Sequence, residues 1–257
     1  LAALTYEEEN QIARLTIQSP PANALSSTLI HEVNKALDKI ENEGNVKVVV
    51  LEGKGRFFSA GADIKEFTSL QATSDYRALS ENGQQVFNRI ENFPIPMIAA
   101  IHGAALGGGL ELAMACHIRI VTETAKLGLP EITLGIIPGF AGTQRLPRLV
   151  GAAKAYELIL TGEPISGIEA YQLGLANQVV ADEELLNVTN ELATKIAAKS
   201  RATINHIMHL LSYAKHEAFD KGMKEEAIAF SDVFGREDAK EGIQAFLEKR
   251  KPYFQDK

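Results

Sequence analysis

At 257 residues and 46% hydrophobic content, the chain is long enough to bury a sizeable core as a soluble globular protein. Its 26 Lys and Arg against 33 Asp and Glu give a net charge of -7, which speaks against a broad electrostatic grip on nucleic acid. No apolar run approaches the roughly 20 residues of a bilayer span, and the single Cys116 excludes an intramolecular disulfide.

The N-terminus lacks the basic and apolar regions of a signal peptide. Cys116, next to Leu112, Ala113, Met114 and Ala115, reads as a small buried side chain in a reducing compartment. A cytoplasmic location is expected. The chain does not open with Met, so a removed transit segment would make that the mitochondrial matrix.

In chain order, Ile12 to Ile17 reads as the first strand, and a helix follows from Ser26 or Ser27. That helix spaces Leu29, Ile30, Val33, Leu37 and Ile40 on one face until Gly44 stops it. Lys47 to Leu51 is a second strand, and Ser74 to Asn92 a second helix. Pro94 and Pro96 break the chain before Met97 to Ile101, a continuous apolar run of the kind buried on both faces. A helix is expected from Gly107, Gly108 and Gly109, then a strand from His117 to Val121. From about Asp182 the strand signals vanish, and helices are expected over Glu184 to Lys199, Ala202 to Ala214 and Glu217 to Phe234. The fold class is α/β, with a helical extension and no internal repeat or flexible linker.

Several catalytic patterns are missing from the sequence. His31-Glu32 is followed by Lys35 and His216-Glu217 by Asp220, so no His-Glu-x-x-His zinc site forms. There is no Gly-x-Ser-x-Gly elbow and no Walker loop, and Gly53-Lys-Gly55 meets Phe58 where a dinucleotide fingerprint needs its third glycine. Neither a metal nor a nucleotide cofactor is called for. The remaining histidines, including His102, His206 and His209, lack partners at ligand spacing and read as structural or surface residues.

Three segments stand out. In the first, three glycines lead from the strand around His102 into Leu110-Glu111-Leu-Ala-Met-Ala-Cys116. A helix starting there offers unpaired N–H groups and the positive end of its dipole to an anion near Gly108, with Glu111 three residues further on. The same residues also fit tight helix packing, with Glu111 a helix-start carboxylate paired with Arg119. In the second, Arg56-Phe-Phe-Ser-Ala-Gly-Ala-Asp-Ile-Lys65, small residues can present backbone amides, although taken alone the segment reads rather as an ordinary turn into a helix capped by Asp63. The third runs from Gly128 to Pro147, punctuated by Pro and Gly, and its apolar neighbours should raise the pKa of Glu131 by desolvation. Two such carboxylates near each other divide acid and base roles; apart, they are unrelated structural acids.

In order and spacing these segments resemble the enoyl-CoA hydratase, or crotonase, family, from about Thr5 to the C-terminus. The resemblance implies a spiral of repeated β-β-α units over residues 1–195. It also implies a C-terminal helical region, 196–257, that assembles homotrimers or hexamers and completes part of the coenzyme A site. By that likeness the oxyanion amides fall on Ala62 and Gly108, and the two catalytic glutamates on Glu111 and Glu131. Isomerases of the fold typically keep the second glutamate and lose the first, which makes Glu111 the discriminating residue.

The implied substrate is an enoyl-CoA thioester, with coenzyme A part of the substrate and no separate cofactor. Ala60, Ala62, Asp63, Ile64, Lys65, Gly108 and Gly139 are implied contacts, and Phe246 and Lys249 are contacts to a neighbouring subunit's ligand. Leu129 stands where many classical hydratases carry Gln, and Gly139-Phe-Ala-Gly142 replaces a more glycine-rich turn, so acyl preference is open. Isomerisation, dehydration or thioester hydrolysis on the same fold is the nearest rival. The wording Ile-Ile-Pro-Gly and Thr-Gln-Arg-Leu-Pro-Arg is shared with the 3-methylglutaconyl-CoA hydratase branch, some of whose members bind RNA; the acidic balance opposes that.

Overall fold

The computed structural model describes residues 2–67, 73–215, 224, 226, 228–230, 232 and 236–257. Its main sheet is built from β1 (Leu4–Glu9), β2 (Ile12–Ile17), β3 (Val48–Gly53), β4 (Met97–Ile101), β6 (Ile118–Thr122) and β9 (Gln178–Val180), adjacent in that order. The β1 and β2 pair is antiparallel and every later pair parallel. A smaller sheet joins β5 (Ala104–Leu106) to β7 (Lys126–Gly128) in parallel, and β7 to β8 (Ile165–Ser166) antiparallel.

Parallel strands need crossovers, and amphipathic helices supply them on the main sheet's faces. On one face lies α1 (Ser27–Glu43), capped by Ser26 accepting from Leu29 N and closed by Gly44 in the left-handed conformation. It buries Leu29, Ile30, Val33, Leu37 and Ile40 with Val49, Leu51, Ala99 and Ile101 of the sheet. The same layer holds α3 (Thr73–Glu91), which contributes Val86, Phe87 and Ile90. The alternate side chains Val48, Val50, Ile98, Ala100 and Ile120 point to the opposite face, where α8 (Leu185–Ala197) covers them with Leu185, Ala193 and Ala197. This explains the unbroken apolar run of β4, every residue of which is buried.

The expected strand His117 to Val121 is shifted by one residue: at His117 the backbone N donates to Met97 O, but it is the ring Nδ1 that accepts from Met97 N. The glycines do not lead directly from β4 into a helix. The short β5 intervenes, and α4 (Gly108–Ala115) begins after it. Beyond β9, the 3-10 turn Asp182–Glu184, α8, α9 (Arg201–Lys215) and α10 (Glu237–Leu247) follow. The expected helix Glu217 to Phe234 lies largely outside the described residues. The C-terminal tail is tied back to the sheet: Asp256 pairs with the buried Lys47 at 2.9 Å and accepts from Arg201 N at 2.9 Å. No described helix is long and apolar enough to cross a membrane.

Candidate active site

Four segments meet at the N-terminus of α4. The loop after β3 runs beside β5: Ser59 N donates to Ala104 O and Leu106 N to Ser59 O, both at 3.0 Å. This approach requires Gly109, where a Cβ would lie 2.4 Å from Ser59 O. Ser59 is buried, and its hydroxyl donates to Asn23 O at 2.7 Å while accepting from Gly61 N at 3.3 Å. Asn23, buried at φ 53°, donates to Lys54 O and Phe57 O and so pins the loop's near end.

Ala62 is brought against Gly108 as a result: a Cβ on Gly108 would sit 3.3 Å from Ala62 N. Leu25 holds the two flanking residues, its N donating to Gly61 O and its O accepting from Asp63 N. Neither Ala62 N–H nor Gly108 N–H donates to any group among the described residues. Two unsatisfied amides side by side at a helix N-terminus are chemically suited to receive a carbonyl oxygen that gains negative charge.

Glu111, in the first turn of α4, is 1% exposed. One of its oxygens, Oε1, accepts from Phe140 N at 2.8 Å and from Gly142 N at 2.7 Å. Burial raises its pKa from 4.5 to about 7, with the charge of Glu131 adding to the rise; the Gly142 and Phe140 amides and Arg145 oppose it. The suggested partner Arg119 turns elsewhere and donates to the carbonyls of Leu175, Ala113 and Cys116. Glu111 is therefore not half of a structural ion pair with Arg119.

Glu131 lies in the 3-10 turn Pro130–Leu134, reached directly from β7. Its Oε1 sits 2.8 Å from where a Cβ on Gly107 would stand, so the glycine makes room for the carboxyl beside the helix start. Its Oε2 is shut from solvent and has no hydrogen-bond partner among the described residues. Burial raises the Glu131 pKa, as its apolar neighbours implied.

The turn from Gly139 to Gly142 closes the site. Gly139 O accepts from Ser80 Oγ and Gln84 Nε2 of α3, and the Phe140 ring meets Phe87 edge-on at 5.4 Å. From the next helix, α5 (Gly142–Val150), the buried Arg145 donates to Phe140 O. These α3 and α5 contacts were not read from the sequence. Arg145 stands inside a quoted stretch, but its role depends on a helix some 60 residues away.

Among the other expected contacts, Asp63 caps the short helix α2 (Ile64–Phe67) by accepting from Lys65 N at 3.0 Å, and Ala60, Ile64 and Lys65 are exposed at the loop's rim. Phe246 and Lys249 are not brought to the glutamates. Phe246 is exposed on α10 and Lys249 follows that helix. A groove of about 560 Å³ between α9 and α10 is lined by Ser200, Ile204, Ile207, Ile243 and Phe254, and neither glutamate borders it. No cluster of metal-ligating side chains occurs among the described residues.

The chain is similar to known proteins along nearly its whole length. The enoyl-CoA hydratase/isomerase family model matches residues 7–257. A Bacillus subtilis protein named "Probable enoyl-CoA hydratase" is 58% identical over 253 residues, covering 98% of each chain. A Clostridium acetobutylicum protein named short-chain-enoyl-CoA hydratase is 42% identical over 247 residues, 95% of this chain and 94% of its own. The crystal structure of an enoyl-CoA hydratase from Geobacillus kaustophilus HTA426 is 34% identical and superposes with a TM-score of 0.96 over 100% of this chain and 98% of that one. The chain belongs to the enoyl-CoA hydratase/isomerase family.

Proposed function

We propose that this protein is an enoyl-CoA hydratase, a hydro-lyase that adds water across the 2,3 double bond of an enoyl-CoA thioester to give 3-hydroxyacyl-CoA. The observation that carries this is the pairing of Glu111 and Glu131 beside the unsatisfied amides of Ala62 and Gly108. The amides take the thioester carbonyl oxygen, whose negative charge grows as oxygen adds at C3; one such donor is worth about 2.7 to 4 kcal/mol. Glu111, held by two amides, takes a proton from the water. Glu131, whose pKa burial raises, delivers a proton to C2, so one hydroxyl and one hydrogen are gained overall. Glutamate at both positions favours hydration over isomerisation.

The names of the Clostridium relative and of a Syntrophomonas wolfei crotonyl-CoA hydratase, 42% identical over 253 residues, support a short-chain substrate. The Phe140 ring, 3.2 Å from a Cβ position on Gly108, supports it too by narrowing the space there. The test is crotonyl-CoA hydration: Glu111→Gln and Glu131→Gln each lower kcat about 100-fold or more while substrate still binds. Near-normal turnover in either variant refutes the two-carboxylate reading.

No resident cofactor enters this chemistry, because the amides take the developing charge and the glutamates move the protons. Residues 196–257 are proposed to assemble a homotrimer or hexamer and to bring Phe246 and Lys249 to a neighbour's coenzyme A. The exposed Ile207, Leu211, Ile243, Phe246 and Leu247 on α9 and α10 support this; light scattering at defined concentration tests it. A cytoplasmic location fits the bacterial relatives. The net charge of -7 supports the absence of a nucleic-acid partner, which a salt-titrated gel shift tests.

A further inference from the structure

Between the Gly139 to Gly142 turn and α3, Arg145 is 3% exposed and spends its guanidinium on three anchors. Nη1 donates to Phe140 O at 2.8 Å, Nη2 to Asn88 Oδ1 at 2.7 Å and Nε to Glu91 Oε2 at 2.9 Å. Asn88 and Glu91 lie on α3, which also supplies Ser80 and Gln84 to Gly139 O. The turn is thus strung from α3 at two consecutive carbonyls, one held directly and one through Arg145. Its amides face the other way. Phe140 N and Gly142 N both donate to Glu111 Oε1, and Ala141 between them takes the left-handed conformation at φ 72°. A non-glycine residue keeps that conformation only where its surroundings impose it.

We infer that Arg145 is a positioning residue for Glu111: by holding Phe140 O to α3 it fixes the turn whose two amides aim the Glu111 carboxylate. The inference rests on the reading that Glu111 activates water. With its Nε, Nη1 and Nη2 all bonded to protein groups, Arg145 acts through the peptide whose carbonyl it holds and from whose turn amides Glu111 accepts. Its charge also opposes the rise in the Glu111 pKa, against burial and Glu131, the other charged group facing that carboxylate.

A purely structural Arg145, neutralising Glu91 inside the protein, would alter stability and leave catalysis by Glu111 untouched in proportion. A double-mutant cycle separates the two roles. In crotonyl-CoA hydration, Arg145→Met lowers kcat about 10-fold or more with KM within about threefold, and moves the acid limb of the pH profile upward. In the Glu111→Gln background the same change costs less than about threefold, because the carboxylate it serves is gone. Arg145→Lys, which keeps the charge without the three-way fork, falls between.

If Arg145→Met does not fold, Asn88→Ala removes one anchor and leaves the charge; it lowers kcat about threefold in the parent and not in Glu111→Gln. Equal losses in both backgrounds, or an unchanged kcat in the parent, overturn the inference while the hydratase reading stands. Normal turnover in Glu111→Gln alone overturns both.

Discussion

Glu111→Gln should make the protein more stable in alkali while disabling it. The folded state raises this carboxyl from 4.5 to about 7, chiefly through burial. A folded pKa above the unfolded one means that the native state holds a proton the unfolded chain releases. The associated stability is fully present below about pH 4.5 and is lost as pH rises through about 7. At about 1.4 kcal/mol per pKa unit, the displacement is worth about 3 kcal/mol.

Glutamine stays neutral at every pH and keeps an Oε1 able to accept from Phe140 N and Gly142 N, so those hydrogen bonds survive. Relative to the parent, the variant gains about 3 kcal/mol between pH 5 and pH 8, roughly 5 to 10 °C in unfolding midpoint for a chain of this size. Thermal unfolding of both proteins across that range, at one fixed protein concentration, measures it. A stability difference that does not change with pH, or a variant weaker at pH 8 than at pH 5 relative to the parent, refutes the claim that Glu111 is ionised against its burial.

The same pKa sets the activity profile. The rate kcat/KM falls below about pH 7 as Glu111 takes up its proton; a profile flat across pH 5 to 8 contradicts that role. Gly107→Ala places a methyl 2.8 Å from Glu131 Oε1 at a backbone φ of 51°, and should lower kcat about 10-fold or more by displacing the carboxyl, read by steady-state kinetics. Gly103→Ala, whose Cβ would fall 1.8 Å from Arg56 O at φ 62°, should cost about 3 kcal/mol or more in urea unfolding, because neither backbone segment can yield.

What the sequence made legible follows the length and regularity of each element. The strands Ile12–Ile17 and Met97–Ile101 matched their expected bounds because five or six residues suffice to show a pattern, and α1 declared itself through Ser26, its apolar stripe and Gly44. The strands β5, β7 and β8 span two or three residues, too few to carry a period, and their pairing is decided by distant partners such as Gly107 N on Gly128 O. The site divides in the same way. Gly108 and Glu111 were visible because they share one helix start. Ala62 was not separable from an ordinary turn, since its place beside Gly108 depends on Ser59 bridging to Ala105 across 46 positions. Arg119 is much nearer to Glu111 in sequence than Arg145, yet it is the Arg145 charge that acts on that carboxylate, and only the fold distinguishes them.

Burial alone does not divide the roles of the two glutamates, because it raises the pKa of both. The difference lies in the donors. Glu111 Oε1 has two amides at 2.7 and 2.8 Å, with the Arg145 charge behind the turn, and each of these favours the ionised form. Among the described residues Glu131 Oε2 has no donor, its carboxyl is held only by its own backbone N–H, and the glycine beside it leaves room without offering a bond. On the proposed mechanism the carboxyl aimed by two amides from the facing turn takes the proton from water, and Glu131 beside the helix start gives one to C2. A chain keeping Glu131 while losing Glu111 would retain the proton donor and lose the group that activates water. The hydratase assignment therefore depends on the Phe140 and Gly142 amides as much as on the identity of residue 111.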